Sequence, residues 1–129
     1  MKTETASAAP IDLSAITQLA EGIELGDQFV TEIIGVFLAE LKDLVCAIGL
    51  QMSHGDCAGI AATAHSVKGS SGHFGAMRLM ELSGEIEDRA RRQQTDGLQT
   101  AIDSMIAETQ RVRAALEAYR SSHMRGADA

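Results

Sequence analysis

Between Asp27 and Ile48 the apolar residues Val30, Ile33, Ile34, Phe37, Leu38, Leu41, Leu44, Val45 and Ile48 return at intervals of three and four. That spacing gathers side chains on one face of a helix turning every 3.6 residues. A half-buried strand would need alternation by two, which this segment does not follow. Aromatic residues make up only 3% of the chain and Pro10 is its single proline, so little favours a sheet and nothing interrupts a long helix after residue 10. The same period recurs downstream, and the chain is read as all-α.

The punctuation between the periodic segments sets the order of the helices. Asp12 can cap a short first helix carrying Leu13, Ile16, Leu19 and Ala20, with Ile11 and Ile16 placed to pack as a hydrophobic staple across the cap. The second helix runs from about Asp27 to Ile48, with Gly49 as its expected stop. A third starts near Asp56 after Ser53-His54-Gly55 and reaches about Gly72, with Ile60, Ala64, Val67, Ser71 and Phe74 facing inward. Gly72-His73-Phe74-Gly75 makes a tight connection to a fourth, from about Ala76 to Arg92, with Leu79, Met80, Ser83, Ile86 and Ala90 on one side. After Gln93-Gln94-Thr95-Asp96 a last helix carries Leu98, Ala101, Ile102, Met105, Ile106, Val112, Leu116 and Tyr119. Short connections between long amphipathic helices predict an antiparallel up-down-up-down four-helix bundle with a short N-terminal capping helix. Residues 11–122 form this one domain, 1–10 are expected to be a disordered leader, and 123–129 a flexible tail.

A chain of 129 residues is enough for a single core. Its net charge of −7 repels phosphate backbones, and no basic tract offsets it, so nucleic acid is not an expected partner. The first ten residues lack the apolar core of a secretion signal, and no apolar run is long enough to span a membrane. A cytoplasmic monomer is expected. Cys46 and Cys57 lack metal-site spacing and are expected to be reduced thiols. No paired Glu-x-x-His motif of a di-iron bundle is present, and no metal of the protein's own is expected. His54, His73 and His123 read as turn and tail residues.

His65 is different. On the third helix it lies about 100° from Ala64 and about 160° from Val67, which turns it away from the inward stripe. Its own face carries Ala58, Ala61 and Ala62 before it and Lys68, Gly69 and Gly72 after it, all short except the lysine. Such a stripe either leaves the imidazole open to another protein or lets two helices pack closely. Glycine at 69 costs about 1 kcal/mol of helix propensity relative to alanine, which favours a need for space above the helix. Lys68-Gly69-Ser70 has the wrong order for a nucleotide-binding phosphate loop, so ATP binding is not expected.

His65-x-x-Lys68-Gly69-Ser70-Ser71-x-x-x-Gly75-Ala76-x-x-Leu79-x-x-Leu82, continuing to Glu85-Ile86-Glu87, closely resembles the signature of histidine phosphotransfer (HPt) domains of bacterial two-component phosphorelays. Phe29-Val30-x-x-Ile33-Ile34-x-x-Phe37-Leu38 is similar to the family's second helix. The resemblance implies that His65 accepts a phosphoryl group from a receiver-domain aspartate and donates it to a response-regulator aspartate. On the same footing, Lys68 is the nearby cation and Gly69 gives the receiver room to approach. Ala61, Ala62 and Gly72 line the docking strip. Glu87 is the polar partner of the imidazole, and Arg91 a basic residue near the phosphoryl group. Ser83 stands where many members have cysteine.

The implied partners are the receiver domains of a hybrid histidine kinase and of response regulators, which supply the Mg²⁺; the chain needs no cofactor of its own. Two other readings stand beside this one. The chain could be a receiver-binding adaptor that is never phosphorylated, or the phosphotransfer module of a chemotaxis-type histidine kinase, where glutamate at the position of Glu87 also occurs.

Overall fold

Three connections of three, four and six residues join the long helices and leave consecutive helices no choice but to run antiparallel. The computed structural model describes residues 9–22 and 26–128, with side chains as far as Ser122. Its helices are α1 (Leu13–Ala20), α2 (Gly26–Ser53), α3 (Cys57–Gly72), α4 (Met77–Arg91) and α5 (Leu98–Asp128). α2 packs on α3 and α5, α4 packs on the same two, and α1 lies on α2. This closes a four-helix bundle capped by a short helix, as the apolar period predicts; no strand occurs among the described residues.

Every long helix feeds the same core. Val30, Ile34, Phe37 and Leu41 come from α2, Ile60, Ala64 and Val67 from α3, Leu79, Ile86 and Ala90 from α4, and Leu98, Ile102, Met105 and Leu116 from α5. Full burial of each larger aliphatic chain contributes about 1.5–3 kcal/mol before entropy is counted. Polar residues also enter this interior: Ser83, Glu108 and Thr109 are buried.

The caps fix both ends of the pieces that matter. Asp12 accepts from Ser14 N at 2.9 Å, and Ile11 and Ile16 beside it are buried. Its own amide donates to Phe74 O at 3.2 Å, tying the start of α1 to the α3–α4 turn. Gly75 in that turn has φ +63°, and a side chain there would run into Asp12. Phe74 is stacked on Phe37 with ring centroids 4.5 Å apart, so the turn is held by the core as well.

Gly49 does not end α2, contrary to expectation. An added Cβ there would meet open space, and the helix runs on to Ser53. Glycine lowers helix propensity without forcing an exit; the exit comes where the backbone turns left-handed, at Gly55 with φ +65°. α4 begins at Met77, with Ala76 in the capping position. Of the expected leader, residues 1–8 lie outside the described residues. The backbone of α5 continues through 123–128, whose side chains also lie outside them. Among the described residues no helix is long and apolar enough to cross a membrane.

Candidate functional site

Three sides of α3 are spoken for, and the fourth carries His65. Asp56 caps the helix by accepting from Gly59 N at 2.9 Å. Ile60, Ala64, Val67 and Ser71 point into the core. On the α2 side, Thr63 donates to Gln51 at 2.9 Å and Ser70 to Glu40 at 3.0 Å. On the α4 side, side chains pair off in an antiparallel register: Gly72 against Met80, Lys68 against Gly84, His65 against Glu87. What remains is an open arc of Ala58, Ala62, His65, Ser66 and Gly69, all exposed. A Cβ added at Gly69 would have nothing within 4 Å.

The site is organised by one carboxylate. Glu87 Oε2 lies 2.9 Å from His65 Nδ1 and 2.6 Å from an Arg91 guanidinium nitrogen, while Oε1 accepts from Lys68 Nζ at 2.8 Å. Its side chain is only 5% exposed, whereas those of His65, Lys68 and Arg91 are 62%, 39% and 64% exposed. Glu87 is thus closed off from water by the groups that bind it. The hydrogen bond from Lys68 does most to hold its carboxyl below the usual glutamate value; burial opposes this, and His65 and Arg91 add to the lowering.

An ionised carboxylate can only accept, so the His65 Nδ1 facing it carries the proton. In the neutral imidazole this leaves the lone pair on Nε2, the ring nitrogen not engaged by Glu87. The result is an exposed nucleophilic nitrogen on a ring whose tautomer and orientation are fixed from below. Two cations, Lys68 and Arg91, are held on the same carboxylate as the ring.

Of the residues singled out from sequence, the structure brings His65, Lys68, Glu87 and Arg91 into one cluster and sets Ala62 and Gly69 on the open arc beside it. Ala61 does not belong to that strip: it is buried, 6% exposed. It sits about 40° around α3 from His65 on the side that carries Lys68, the side α4 covers, and the α3–α4 register sets it level with Arg91. Gly72 is exposed, but a side chain there would first touch Met80, 3.5 Å from an added Cβ. The small residues therefore serve two ends. Ala61 and Gly72 let α4 approach, and Ala62 and Gly69 keep the other flank of the histidine bare.

Sequence reasoning missed Gly84, over which the Lys68 stem lies, and the hydrogen bonds of Gln51 and Glu40 that fix the far side of α3. Their signal was the helix register, which could have been counted outward from the four-residue turn for Gly84 and from the three-residue turn for Gln51 and Glu40. Among the described residues no cluster of three or more His, Cys, Asp or Glu could hold a metal ion.

The chain is similar to known proteins in sequence and fold. The Hpt domain family matches over residues 32–122. Among solved structures, histidine-containing phosphotransfer protein B (HptB) from Pseudomonas aeruginosa PAO1 superposes with a TM-score of 0.82 at 25% identity, covering 90% of this chain and 98% of that one. Among curated proteins, none matches the chain.

Proposed function

The chain belongs to the Hpt domain family, and we propose that His65 is the residue through which it takes up and passes on a phosphoryl group. It is a histidine phosphotransfer intermediate of phosphorelay signalling, and its partners are of the receiver-domain and response-regulator kind. The observation that supports His65 is the combination of an exposed ring, an Nδ1 tied to Glu87 and a flank left bare by Ala62 and Gly69.

In the forward step, His65 Nε2 attacks the phosphorus of a receiver's aspartyl phosphate. The N–P bond forms as the P–O bond to the aspartate breaks, and the electron pair leaves with the carboxylate. Transfer onward is the reverse, with the imidazole leaving and a second aspartate attacking. Phosphoryl transfer depends mostly on position and on neutralising the equatorial oxygens. The bundle supplies position, and the receiver brings the Mg²⁺ and the aspartate. Lys68 adds charge: at about 4 Å an ammonium near a protein surface attracts a unit negative charge by about 4 kcal/mol before desolvation is subtracted. Arg91, also held on Glu87, is the second cation. We place the exchange in the cytoplasm, between a hybrid kinase's receiver and a response regulator, with the chain acting as a monomer.

The test is transfer from a labelled receiver. Wild type takes up the label and passes it to a second receiver, and His65→Gln does neither. Label reaching the His65→Gln protein would overturn the assignment. Binding of the receiver by wild type without any transfer would instead identify an adaptor.

A further inference from the structure

Along the contact between α3 and α4, large and small side chains alternate between the two helices. Gly72 on α3 faces Met80 on α4, and one turn further along this order reverses, with Lys68 on α3 facing Gly84 on α4. A Cβ at Gly84 would stand 3.5 Å from Lys68 Cδ, in ordinary contact, so the lysine stem passes directly over this position and a longer side chain there would compete with it for space. From that bed the ammonium reaches Glu87 Oε1 at 2.8 Å, three residues along the same face of α4. The ion pair with Glu87 draws the head of Lys68 towards α4, and the absence of a side chain at Gly84 leaves room for its four-carbon stem to lie along that path.

We infer that Gly84 is a positioning residue for the transfer: by carrying no side chain, it seats Lys68 against α4 and so delivers its ammonium to the edge of the His65 ring. This rests on the reading of His65 as the phosphoryl carrier. In the resting protein the ammonium is held on Glu87, the same carboxylate that binds His65 Nδ1. When a phosphoryl group arrives on Nε2, the ammonium needs only to swing about this shared anchor to meet its oxygens. A branched or long side chain at 84 fills the bed, lifts the stem towards solvent and takes the charge away from both carboxylate and phosphoryl group. Residue 84 never touches the phosphoryl group and acts only through Lys68.

A double-mutant cycle isolates this, because a residue acting through Lys68 loses its influence once the lysine is gone. Gly84→Leu is expected to slow transfer from a phosphorylated receiver about tenfold, the scale of one charge-assisted contact in the transition state. Lys68→Ala should slow it to a similar extent, and Gly84→Leu in the Lys68→Ala background should add no more than about twofold. Thermal melting should change little, since the better helix propensity of leucine offsets the lost ion pair with Glu87. In NMR spectra the Lys68 ammonium signal, protected by Glu87 in wild type, should be lost in Gly84→Leu; should that variant not fold, Gly84→Gln carries the same expectations. Wild-type rates in the variant, or an equal slowing with and without Lys68, would overturn the inference while leaving His65 as the carrier. A wild-type protein that takes up no label would overturn the reading of His65 itself.

Discussion

Replacing Glu87 by glutamine keeps the shape of the side chain and removes the charge that three donors share. The amide offers one acceptor oxygen where His65, Lys68 and Arg91 now use two, and its NH₂ finds an acceptor among them only if the His65 ring changes tautomer. The partners are half to two-thirds open to water except for Lys68, so none of them is stranded as a buried charge. Exposed ion pairs are worth about 0.2–1 kcal/mol each. Two of them, from Lys68 and Arg91, together with the hydrogen bond from the neutral His65 ring, put the loss at about 1–2 kcal/mol, or about 3–8 °C in melting temperature for a domain of this size.

The pH dependence is the sharper part of this prediction. Glu87's carboxyl is held below the ordinary glutamate value of 4.5 in the folded protein. Its stabilisation is therefore present in full above that value and is lost as pH falls through the lowered one. Urea denaturation of wild type and Glu87→Gln, run from about pH 3 to about pH 7, should show a stability gap that is constant near neutrality and narrows in acid. A gap that persists unchanged at the acid end, or none at neutrality, would refute the role given to the carboxylate.

Three further variants follow from the same geometry. Ser83 is buried with a hydroxyl that has no hydrogen-bond partner, so Ser83→Ala should be neutral or stabilising by up to about 1 kcal/mol in chemical denaturation, with transfer unaffected. Gln93 ends α4 at φ +57°, a conformation that suits glycine, and Gln93→Gly should raise stability by about 1 kcal/mol, read from the melting temperature. Gly69→Leu has free space to occupy and should fold at least as stably as wild type, gaining roughly 0.5–1 kcal/mol of helix propensity, yet bind a receiver at least about tenfold more weakly by titration calorimetry.

Much of this was readable in the chain because it depends on local period. The apolar stripe of α2, the start of α3 near Asp56 and the outward turn of His65 relative to Ala64 and Val67 all follow from local pattern along one helix. Ala61 failed for the opposite reason. It shares a face with His65 in projection, but which flank of that face α4 covers depends on how two helices meet. The convergence of Lys68, His65 and Arg91 on Glu87 is a matter of register across the Gly72–Gly75 turn, and no single-helix period reveals it. The burial of Ser83 and Glu108 is likewise set by neighbours on other helices. Gly49 shows the limit of propensity: a glycine inside a long helix is tolerated when the next turns are paid for by the packing of Ile48 and Met52.

The most direct measurement is to locate the phosphorus. After incubation with a phosphorylated receiver, the modified chain should carry one label that is lost in acid and kept in alkali, as expected of an N–P bond, and it should map by mass spectrometry to the peptide containing His65. A label mapping to His54, His73 or His123, or one with the acid stability of a phosphoserine at Ser66, Ser70 or Ser71, would contradict the account.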